Sequence, residues 1–239
     1  MKAIRTHDKK VYLKEKRKKN PKEYFKFTYS ISSNYICKIK SPRILDIGCA
    51  TGDFLYYLSQ KYPNAKLTGM DVLPELIQVA KKEVKNCDFI KGDVRKKSQL
   101  PKKKFDFIFM MGVHGLFDEY SHWIDNISNL LNKKGKAFIF GTFNDGDVDV
   151  ISRIKLSEKK LPYEIGWNTW SKKTISNYLD KIKINYKFTN FNIKIDLKKN
   201  RDDPMRTYTI KLKSGKRLII NEAGMIRSLR MLTFTKSKF

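Results

Sequence analysis

Residues 44–54 read ILDIGCATGDF, and this stretch decides the fold of the chain. A short apolar run leads to Gly48 and Gly52, which lie on either side of Ala50. Glycines allow a tight turn between a strand and a helix, and they let a ligand approach the backbone. The first turn of the following helix offers free N–H groups and the positive end of the helix dipole. The stretch therefore predicts a strand, a turn suited to a ligand, and a helix.

The turn lacks both common signatures of phosphate binding. It has neither the Lys-Ser/Thr pair of a P-loop nor the third glycine of the dinucleotide fingerprint. Asp46 lies in the strand just before the turn, where a carboxylate tolerates a cationic ligand and repels a pyrophosphate. Phosphate binding is not specifically encoded, and an ordinary strand-to-helix turn remains an alternative to a nucleoside site.

Apolar runs and helical stretches alternate on the C-terminal side of this turn. The strand-like runs are RILDIG, AKLTGMD, CDFIKGD, FDFIFMMG and GKAFIFGTF, and the helical stretches are DFLYYLSQKY, PELIQVAKKEV and YSHWIDNISNLL. The alternation predicts βαβ units and a parallel sheet, and the nearly continuous apolar strands are typical of a sheet covered on both faces. We expect an α/β fold with a doubly wound, Rossmann-like, mostly parallel sheet of seven strands.

The two ends of the chain have a different character. The first twenty residues are basic, and the aromatic stretch from Pro21 predicts one or two helices that form a lid over the following domain. After Phe143 the pattern predicts a helix capped by Ser171 and then an antiparallel region that includes a hairpin with a Ser-Gly turn.

The formal net charge of +27 invites a nucleic-acid interpretation. Only ten of the 51 basic residues are Arg, however, and Lys is spread over nearly every segment together with Asn and Ile. Such a spread is typical of a compositional bias, whereas specific readout of phosphates and bases favours Arg. A small anionic substrate or an acidic surface fits the charge equally well.

The lack of a recognisable targeting segment and the cysteine content predict a soluble protein of the reducing cytoplasm. The charged N-terminus has no apolar stretch for a signal peptide, and no run approaches the roughly 18 apolar residues of a membrane span. Cys37, Cys49 and Cys87 have no metal-site spacing and are an odd number, so we expect neither a metal site nor a disulfide framework.

Acidic residues follow the second and third predicted strands. The carboxyl ends of parallel strands line the ligand crevice of an open sheet, so Asp71 and Asp93 are expected beside the glycine turn. A carboxylate at the position of Asp71 suits a ribose diol, and one at the position of Asp93 can accept from an exocyclic amine.

Taken in order, LDIGCATGDF, GMD, KGDV, FDFIFMMGVHGLF and LLNKKGKAFIFGTF resemble a class I S-adenosylmethionine-dependent methyltransferase over about residues 41–143. The resemblance implies S-adenosylmethionine as the cofactor and residues 41–239 as the methyltransferase domain, after a lid and basic segment at 1–40. Ala50 stands where this family more often has glycine. The implied cofactor contacts are Asp46, Gly48, Ala50 and Gly52 at the methionine part, Asp71 at the ribose, Val72, Asp93 and Val94 at the adenine, and Met111 and Gly112 at the sulfonium.

Methyl transfer requires mainly the alignment of acceptor, methyl group and sulfur, because the sulfonium is already activated. A base helps when the acceptor must lose a proton. His114, just past the fourth strand, is expected near the methyl group as that base, with an orienting role or no role as alternatives. His122 lies in a helix next to Trp123 and is expected in packing or at the surface.

Residues 144–239 are expected to bind the acceptor, while residues 41–143 form the cofactor half. The candidate acceptor contacts are Asn144, Trp167, Asn168 and Arg206, with Asp145 beside the cleft and Arg153 and Arg201 as further cations for an anionic group. Packing of the tryptophans within the lid and simple surface exposure of the arginines remain alternatives.

Two motifs that are absent from the exit of the fourth strand disfavour some classes of acceptor. Its exit carries no Asn- or Asp-Pro-Pro-aromatic motif and no Pro-Cys nucleophile, which disfavours enzymes that methylate bases. The C-terminal region is similar in general character to small-molecule methyltransferases of capsule, O-antigen and secondary biosynthetic pathways. We expect a monomer or homodimer that methylates a sugar, nucleotide-sugar or phosphorylated metabolite, at oxygen before nitrogen. An RNA or protein methyltransferase and a non-catalytic nucleoside-binding protein are the alternatives.

Overall fold

The computed structural model describes residues 11–15, 17–157, 162–200, 203 and 205–236. The strands in chain order are β1 (Arg43–Ile47), β2 (Lys66–Asp71), β3 (Cys87–Lys91), β4 (Phe105–Met111), β5 (Leu131–Asn144), β6 (Arg153–Ile154), β7 (Glu164–Ile165), β8 (Trp170–Ser171), β9 (Asn185–Asn190), β10 (Tyr208–Lys211), β11 (Arg217–Ile220) and β12 (Leu229–Thr235). The helices with full residue descriptions are α1 (Glu23–Ile36), α2 (Asp53–Ser59), α3 (Pro74–Glu83), α4 (Ser121–Leu130) and α5 (Lys172–Lys181).

The central sheet has the strand order β3-β2-β1-β4-β5-β12-β9, and the short β8 pairs with β5. Strands β1 to β5 run parallel to their neighbours, whereas β12 is antiparallel to both β5 and β9. Two small antiparallel hairpins, β6–β7 and β10–β11, lie outside this sheet. The predicted α/β, Rossmann-like, mostly parallel sheet and its antiparallel C-terminal part are confirmed.

Both faces of the sheet are covered, which explains why the central strands are apolar throughout. On one face α4 and α5 contribute side chains such as Trp123 and Leu179. On the other face α1, α2 and α3 contribute Phe25, Phe54 and Ile77. A parallel sheet with helices on both sides needs strands that are apolar on both sides.

Helix α1 packs flat on the sheet. Tyr24 stacks on Phe140 of β5 with ring centroids 5.2 Å apart, and Phe25 meets Phe54 of α2 at the same centroid distance. The aromatic stretch therefore covers the sheet face. No residue of α1 lines the cavity, so the prediction that this stretch forms a lid over the ligand crevice is corrected. Tyr12, on the N-terminal side of α1, does line the cavity, and residues 1–10 of the predicted basic segment lie outside the described residues.

The predicted helix cap at Ser171 is confirmed. The Ser171 backbone is extended, and its hydroxyl accepts a hydrogen bond from the Thr174 N–H at 3.2 Å. Gly215 has φ +81° between β10 and β11, so the Ser-Gly pair forms the hairpin turn as predicted.

Two absences concern only the described part of the chain. None of its helices is long and apolar enough to cross a membrane. Within the same residues, no group of three His, Cys, Asp or Glu side chains is arranged to hold a metal ion.

Candidate functional site

A cavity of about 690 Å³ opens at the carboxyl ends of β1, β2 and β4, and this volume lies within the usual range for small-ligand sites. The structure brings nine of the residues singled out from the sequence into its wall: Gly48, Ala50, Asp71, Val72, Asp93, Val94, Met111, Gly112 and Trp167. The further lining residues are Tyr12, Ile47, Leu73, Leu76, Lys91, Gly92, Arg95, Lys96, Gln99, Val113, Leu116, Phe117 and His122.

The loop after β1 is a left-handed turn with close packing on its outer side. Gly48 and Gly52 have φ of +73° and +82°, values that favour glycine. A Cβ on Gly48 would lie 2.3 Å from Val113 Cγ2, so no larger residue fits there without movement of Val113. Gly52 does not line the cavity. It precedes α2, and a Cβ there would meet Phe89 and Val84 at 3.1 Å.

Ala50 also has a left-handed backbone, with φ +47°. This conformation costs an L-residue with a Cβ about 1–2 kcal/mol. This cost explains why glycine is commoner at this position in the family that the sequence resembles. The Ala50 N–H donates to Asp71 Oδ2 at 2.9 Å, which fixes the loop against the end of β2.

Asp71 is the carboxylate that ties the loop to β2. Its Oδ2 accepts from the Ala50 N–H, and its Oδ1 accepts from the Leu73 N–H at 2.9 Å. Burial raises the pKa of Asp71, although these backbone hydrogen bonds oppose the rise. An ionised carboxylate can accept about four hydrogen bonds, so acceptor capacity remains for a ligand hydroxyl in the cavity.

Asp93 is held by Arg95. The Arg95 Nε and Nη2 atoms lie 3.0 and 2.6 Å from the two carboxylate oxygens, and the guanidinium lies 4.9 Å from the centroid of the Phe117 ring. Burial works against ionisation of Asp93, but the Arg95 hydrogen bonds outweigh it and lower the pKa of this carboxyl. The group is therefore an ionised acceptor at the cavity wall.

Asp46 lies beneath the loop and outside the cavity lining, with only 2% of its surface exposed. Burial, followed by the nearby charge of Asp71, raises its pKa well above the usual value. Any effect of Asp46 on a ligand must therefore pass through the loop.

The predicted position of His114 in the cavity is corrected by the structure. The 3-10 turn His114–Leu116 directs the imidazole against β5, where it stacks on Phe143 with centroids 4.5 Å apart. Its Nε2 lies 3.2 Å from the Thr142 carbonyl oxygen. A carbonyl can only accept, so the neutral ring carries its proton on Nε2. Burial lowers the pKa of His114 to about 4, and the side chain is absent from the cavity lining.

His122 is exposed, which is one of the two predicted alternatives, and it also lines the cavity. It lies one helical turn before Asn126, whose Nδ2 donates to the Val94 carbonyl at 2.8 Å. The i, i+4 spacing on α4 places both side chains on the face next to the end of β3. That spacing is the signal that could have identified His122.

Asn168 is part of the framework of the wall and does not face the ligand space. It is fully buried, and its Nδ2 donates to the Phe117 carbonyl and to Asp118 Oδ1 at 3.0 and 2.9 Å. Its Oδ1 accepts from the Ser152 N–H at 3.0 Å. The prediction that Asn168 contacts the acceptor is corrected, because these internal bonds occupy its amide.

Asn144 and Arg206, two further predicted acceptor contacts, lie outside the cavity lining. The amide of Asn144 closes a local turn, donating to the Val148 carbonyl at 2.9 Å and accepting from the Gly146 N–H at 3.0 Å. Arg206 forms an ion pair with Glu15.

Of the two remaining candidate cations, one forms an ion pair and the other lies outside the described residues. Arg153 pairs with Asp118 at 2.7 Å, and Arg201 is not among the described residues. Trp167 does line the cavity, and the Arg227 guanidinium lies 5.5 Å from its ring centroid.

Comparisons with known proteins indicate a methyltransferase domain in part of the chain. Residues 44–135 match a family model described as a methyltransferase domain. The chain is 31% identical over 109 residues to malonyl-[acyl-carrier protein] O-methyltransferase 1 of Ilyobacter polytropus, covering 44% of this chain and 40% of that protein. It is 28% identical over 92 residues to trans-aconitate 2-methyltransferase of Escherichia coli, covering 38% and 36%. The match thus spans less than half the length of these relatives.

Solved structures share the fold over more of the chain. The plantazolicin methyltransferase BpumL, in complex with a triazolic desmethylPZN analog and SAH, superposes with a TM-score of 0.58 at 17% identity, covering 96% of this chain and 92% of that one. The glycopeptide N-methyltransferase MtfA, complexed with sinefungin, has a TM-score of 0.58 at 11% identity, covering 90% and 86%. At these identities the likeness concerns the fold.

Proposed function

We propose that the chain is a class I S-adenosylmethionine-dependent methyltransferase that methylates a small polar or anionic acceptor, and the match of residues 44–135 to a methyltransferase-domain model supports the proposal. The acceptor class is a sugar, a nucleotide-sugar or a phosphorylated metabolite. Oxygen is the preferred target and nitrogen the second choice. The O-methyltransferase name of the Ilyobacter relative supports oxygen.

The observation that carries the proposal is the cavity itself. It joins a left-handed glycine loop to two carboxylates, Asp71 and Asp93, at the carboxyl ends of neighbouring strands. A polar edge of this kind, with apolar walls from Val72, Val94 and Phe117, suits a nucleoside better than a pyrophosphate.

We assign the ends of the cavity accordingly. Gly48 and Ala50 lie at the methionine part of S-adenosylmethionine, with Gly52 and Asp46 supporting the loop from behind. Asp71 accepts from the ribose hydroxyls, for which its carboxylate retains acceptor capacity.

At the other end, Val72 and Val94 flank the adenine and Asp93 accepts from its amine. Met111 and Gly112, where β4 ends, lie at the sulfonium. Arg95 keeps Asp93 ionised and oriented towards this end of the cavity.

S-adenosylmethionine supplies an activated methyl group, so the residues of this chain need mainly to align the acceptor with it. His114 takes no direct part in this scheme, because its ring is buried against β5. The acceptor enters beside Tyr12, from the segment before α1, and Trp167, from the region after β5, and both residues line the cavity. Residues 144–239 and the segment before α1 accordingly form the acceptor side.

The test is to incubate the full chain with methyl-labelled S-adenosylmethionine and fractionated metabolites, and to identify the labelled product. Asp71→Ala is the negative control, because it removes the proposed ribose contact. We expect label in a small polar or anionic compound with the unchanged chain and little label with the variant. Label confined to RNA or protein would overturn the proposed acceptor class. Tight binding of S-adenosylmethionine without transfer to any fraction would favour a nucleoside-binding protein.

The net charge of +27 keeps an RNA or protein methyltransferase as the second candidate. Tight binding of a tRNA or rRNA pool that persists at about 200 mM salt would favour it. Weak binding together with transfer to metabolites would exclude it.

A further inference from the structure

Glu15 is surrounded by three cations, of which Arg17 and Lys22 are close to it in the sequence and Arg206 is distant. Lys22 Nζ lies 2.7 Å from its Oε2, Arg17 Nη2 lies 2.8 Å from its Oε1, and Arg206 also pairs with Oε1. We call Arg17, Lys22 and Arg206 the cation cluster. The Glu15 side chain is only 9% exposed, and burial works against its ionisation. The cations outweigh burial and lower its pKa, so Glu15 is an ionised internal anion.

The cation cluster lies directly behind the cavity wall. Lys22 Nζ is 5.2 Å from the centroid of the Tyr12 ring, and Tyr12 lines the cavity. Asp53, the first residue of α2 after the glycine loop, is hydrogen-bonded by the Arg17 backbone N–H and feels the charge of Lys22. The cluster is thus at the glycine-loop end of the cavity, which takes the methionine part of S-adenosylmethionine under the proposed function.

The cluster also has unused capacity for an anion. The Arg17 Nε is buried and, among the described residues, has no hydrogen-bond partner. A buried donor without a partner costs about 1–3 kcal/mol, which an incoming oxygen ligand would recover.

We propose that the cation cluster is the subsite for an oxyanion of the acceptor, a carboxylate or a phosphate, which binds beside or in place of Glu15. Guanidinium groups match both oxyanions through paired hydrogen bonds, and two of the three cations are Arg. The inference rests on the proposed methyl transfer, since it gives the acceptor's charged group a defined place next to the cavity.

The test uses sodium phosphate and sodium citrate as probes of the two oxyanion classes. The thermal midpoint Tm of the full chain is measured against each probe, with sodium chloride at matched ionic strength as the reference. A ligand that binds only the folded state raises Tm with its concentration. We expect a rise with at least one probe that chloride does not reproduce, and we expect Glu15→Gln to lower the half-saturating concentration because it removes the internal anion.

Arg206→Gln and Arg217→Gln separate the cation cluster from the general positive charge. Arg217 pairs with Asp196 on the β10–β11 hairpin and serves as the matched control. We expect Arg206→Gln to raise the half-saturating probe concentration by about tenfold or more, which corresponds to about 1.4 kcal/mol, and Arg217→Gln to leave it unchanged. Equal responses from the two variants, or no rise with either probe in the unchanged chain, would overturn the subsite. Arg17→Gln replaces Arg206→Gln if that variant loses its cooperative transition.

Binding of S-adenosylhomocysteine, measured by calorimetry on the same proteins, distinguishes failure of this inference from failure of the proposed function. Retained nucleoside binding with no probe-specific rise would remove only the anion subsite. If the unchanged chain does not bind S-adenosylhomocysteine, the proposed function itself is wrong, whatever the probes show.

Discussion

Ala50 shows at the scale of a single residue how the cofactor loop is strained. Its φ of +47° places an alanine where glycine costs nothing. We expect Ala50→Gly to relieve roughly 1 kcal/mol of strain in the folded chain, less the entropy that glycine adds to the unfolded chain. Chemical denaturation measures the net change, which should be neutral to stabilising. A loss of more than about 1 kcal/mol, the usual penalty for glycine, would mean that the left-handed turn is not strained.

A second prediction at the scale of a single residue concerns Asp71. Asp71→Asn keeps the shape of the side chain but removes the charge, and a hydrogen bond to a charged group contributes about 1.5–3 kcal/mol. We expect the affinity for S-adenosylhomocysteine, measured by calorimetry, to fall roughly tenfold to a hundredfold. Asp88→Asn is the control, since Asp88 is exposed and pairs with Lys103 away from the cavity. Unchanged affinity in Asp71→Asn would contradict the ribose assignment.

His114 should make the stability of the protein depend on pH. Its pKa of about 4 in the folded state is lower than about 6.5 in the unfolded chain, so the unfolded chain binds a proton that the folded one does not. The contribution of His114 to the free energy of unfolding is therefore fully present above about pH 6.5 and decreases as the pH falls, by about 3 kcal/mol near pH 4.

Urea denaturation of the unchanged chain and of His114→Gln across this pH range isolates that contribution. The difference in unfolding free energy between the two proteins should shrink as the pH falls from about 6.5 to 4. His122→Gln, which changes an exposed histidine, is the control. A pH-independent difference would show that His114 is not held neutral by burial.

Side-chain direction is what the sequence could not supply at the residue scale. The positions of Asp71 and Asp93 follow from the ends of parallel strands, and the structure brings both into the cavity. His114 follows β4 just as directly, but a 3-10 turn sends its ring against β5. The polar groups of Asn168 and Arg206 bind Asp118 and Glu15, partners that lie far away in the sequence and that no local pattern predicts.

At the scale of elements, the α5 cap gives a direct test of local stability. Ser171→Ala removes the hydroxyl that accepts from the Thr174 N–H, and loss of such a cap costs typically about 1 kcal/mol. Ser176→Ala, inside the same helix, is the matched control and should be neutral or slightly stabilising, since alanine is the best helix former. Urea denaturation measures both variants. Equal effects would show that the cap contributes nothing.

Regular apolar periodicity made the helices and strands of residues 41–143 predictable. Strands that form only by pairing at long range could not be predicted in this way. The helices and strands between β1 and β4 lie close to their predicted positions because apolar spacing and glycine turns mark them. Strands β6, β7 and β8 are two residues long each and depend on pairing with other segments, so no local sequence pattern predicts them. β5 begins at Leu131, before the glycine expected to open it.

At the scale of the whole molecule, the net charge of +27 predicts weak and nonspecific association with nucleic acid. We expect mixed tRNA to bind at about 50 mM salt and to be released by about 200 mM, since several phosphate contacts lose a factor of about 10³ or more over that range. Fluorescence anisotropy measures the binding. Label from S-adenosylmethionine should not enter the tRNA, and its appearance there would favour the RNA methyltransferase alternative.

The position of β12 has a consequence for biosynthesis. This strand, Leu229–Thr235, lies between β5 and β9, whose residues leave the ribosome earlier. A nascent chain that stops before residue 229 has two unpaired strand edges inside its sheet, and such edges promote aggregation. Translation must therefore pass residue 235 before the sheet closes, and chains stalled earlier should be the ones that chaperones and proteases capture.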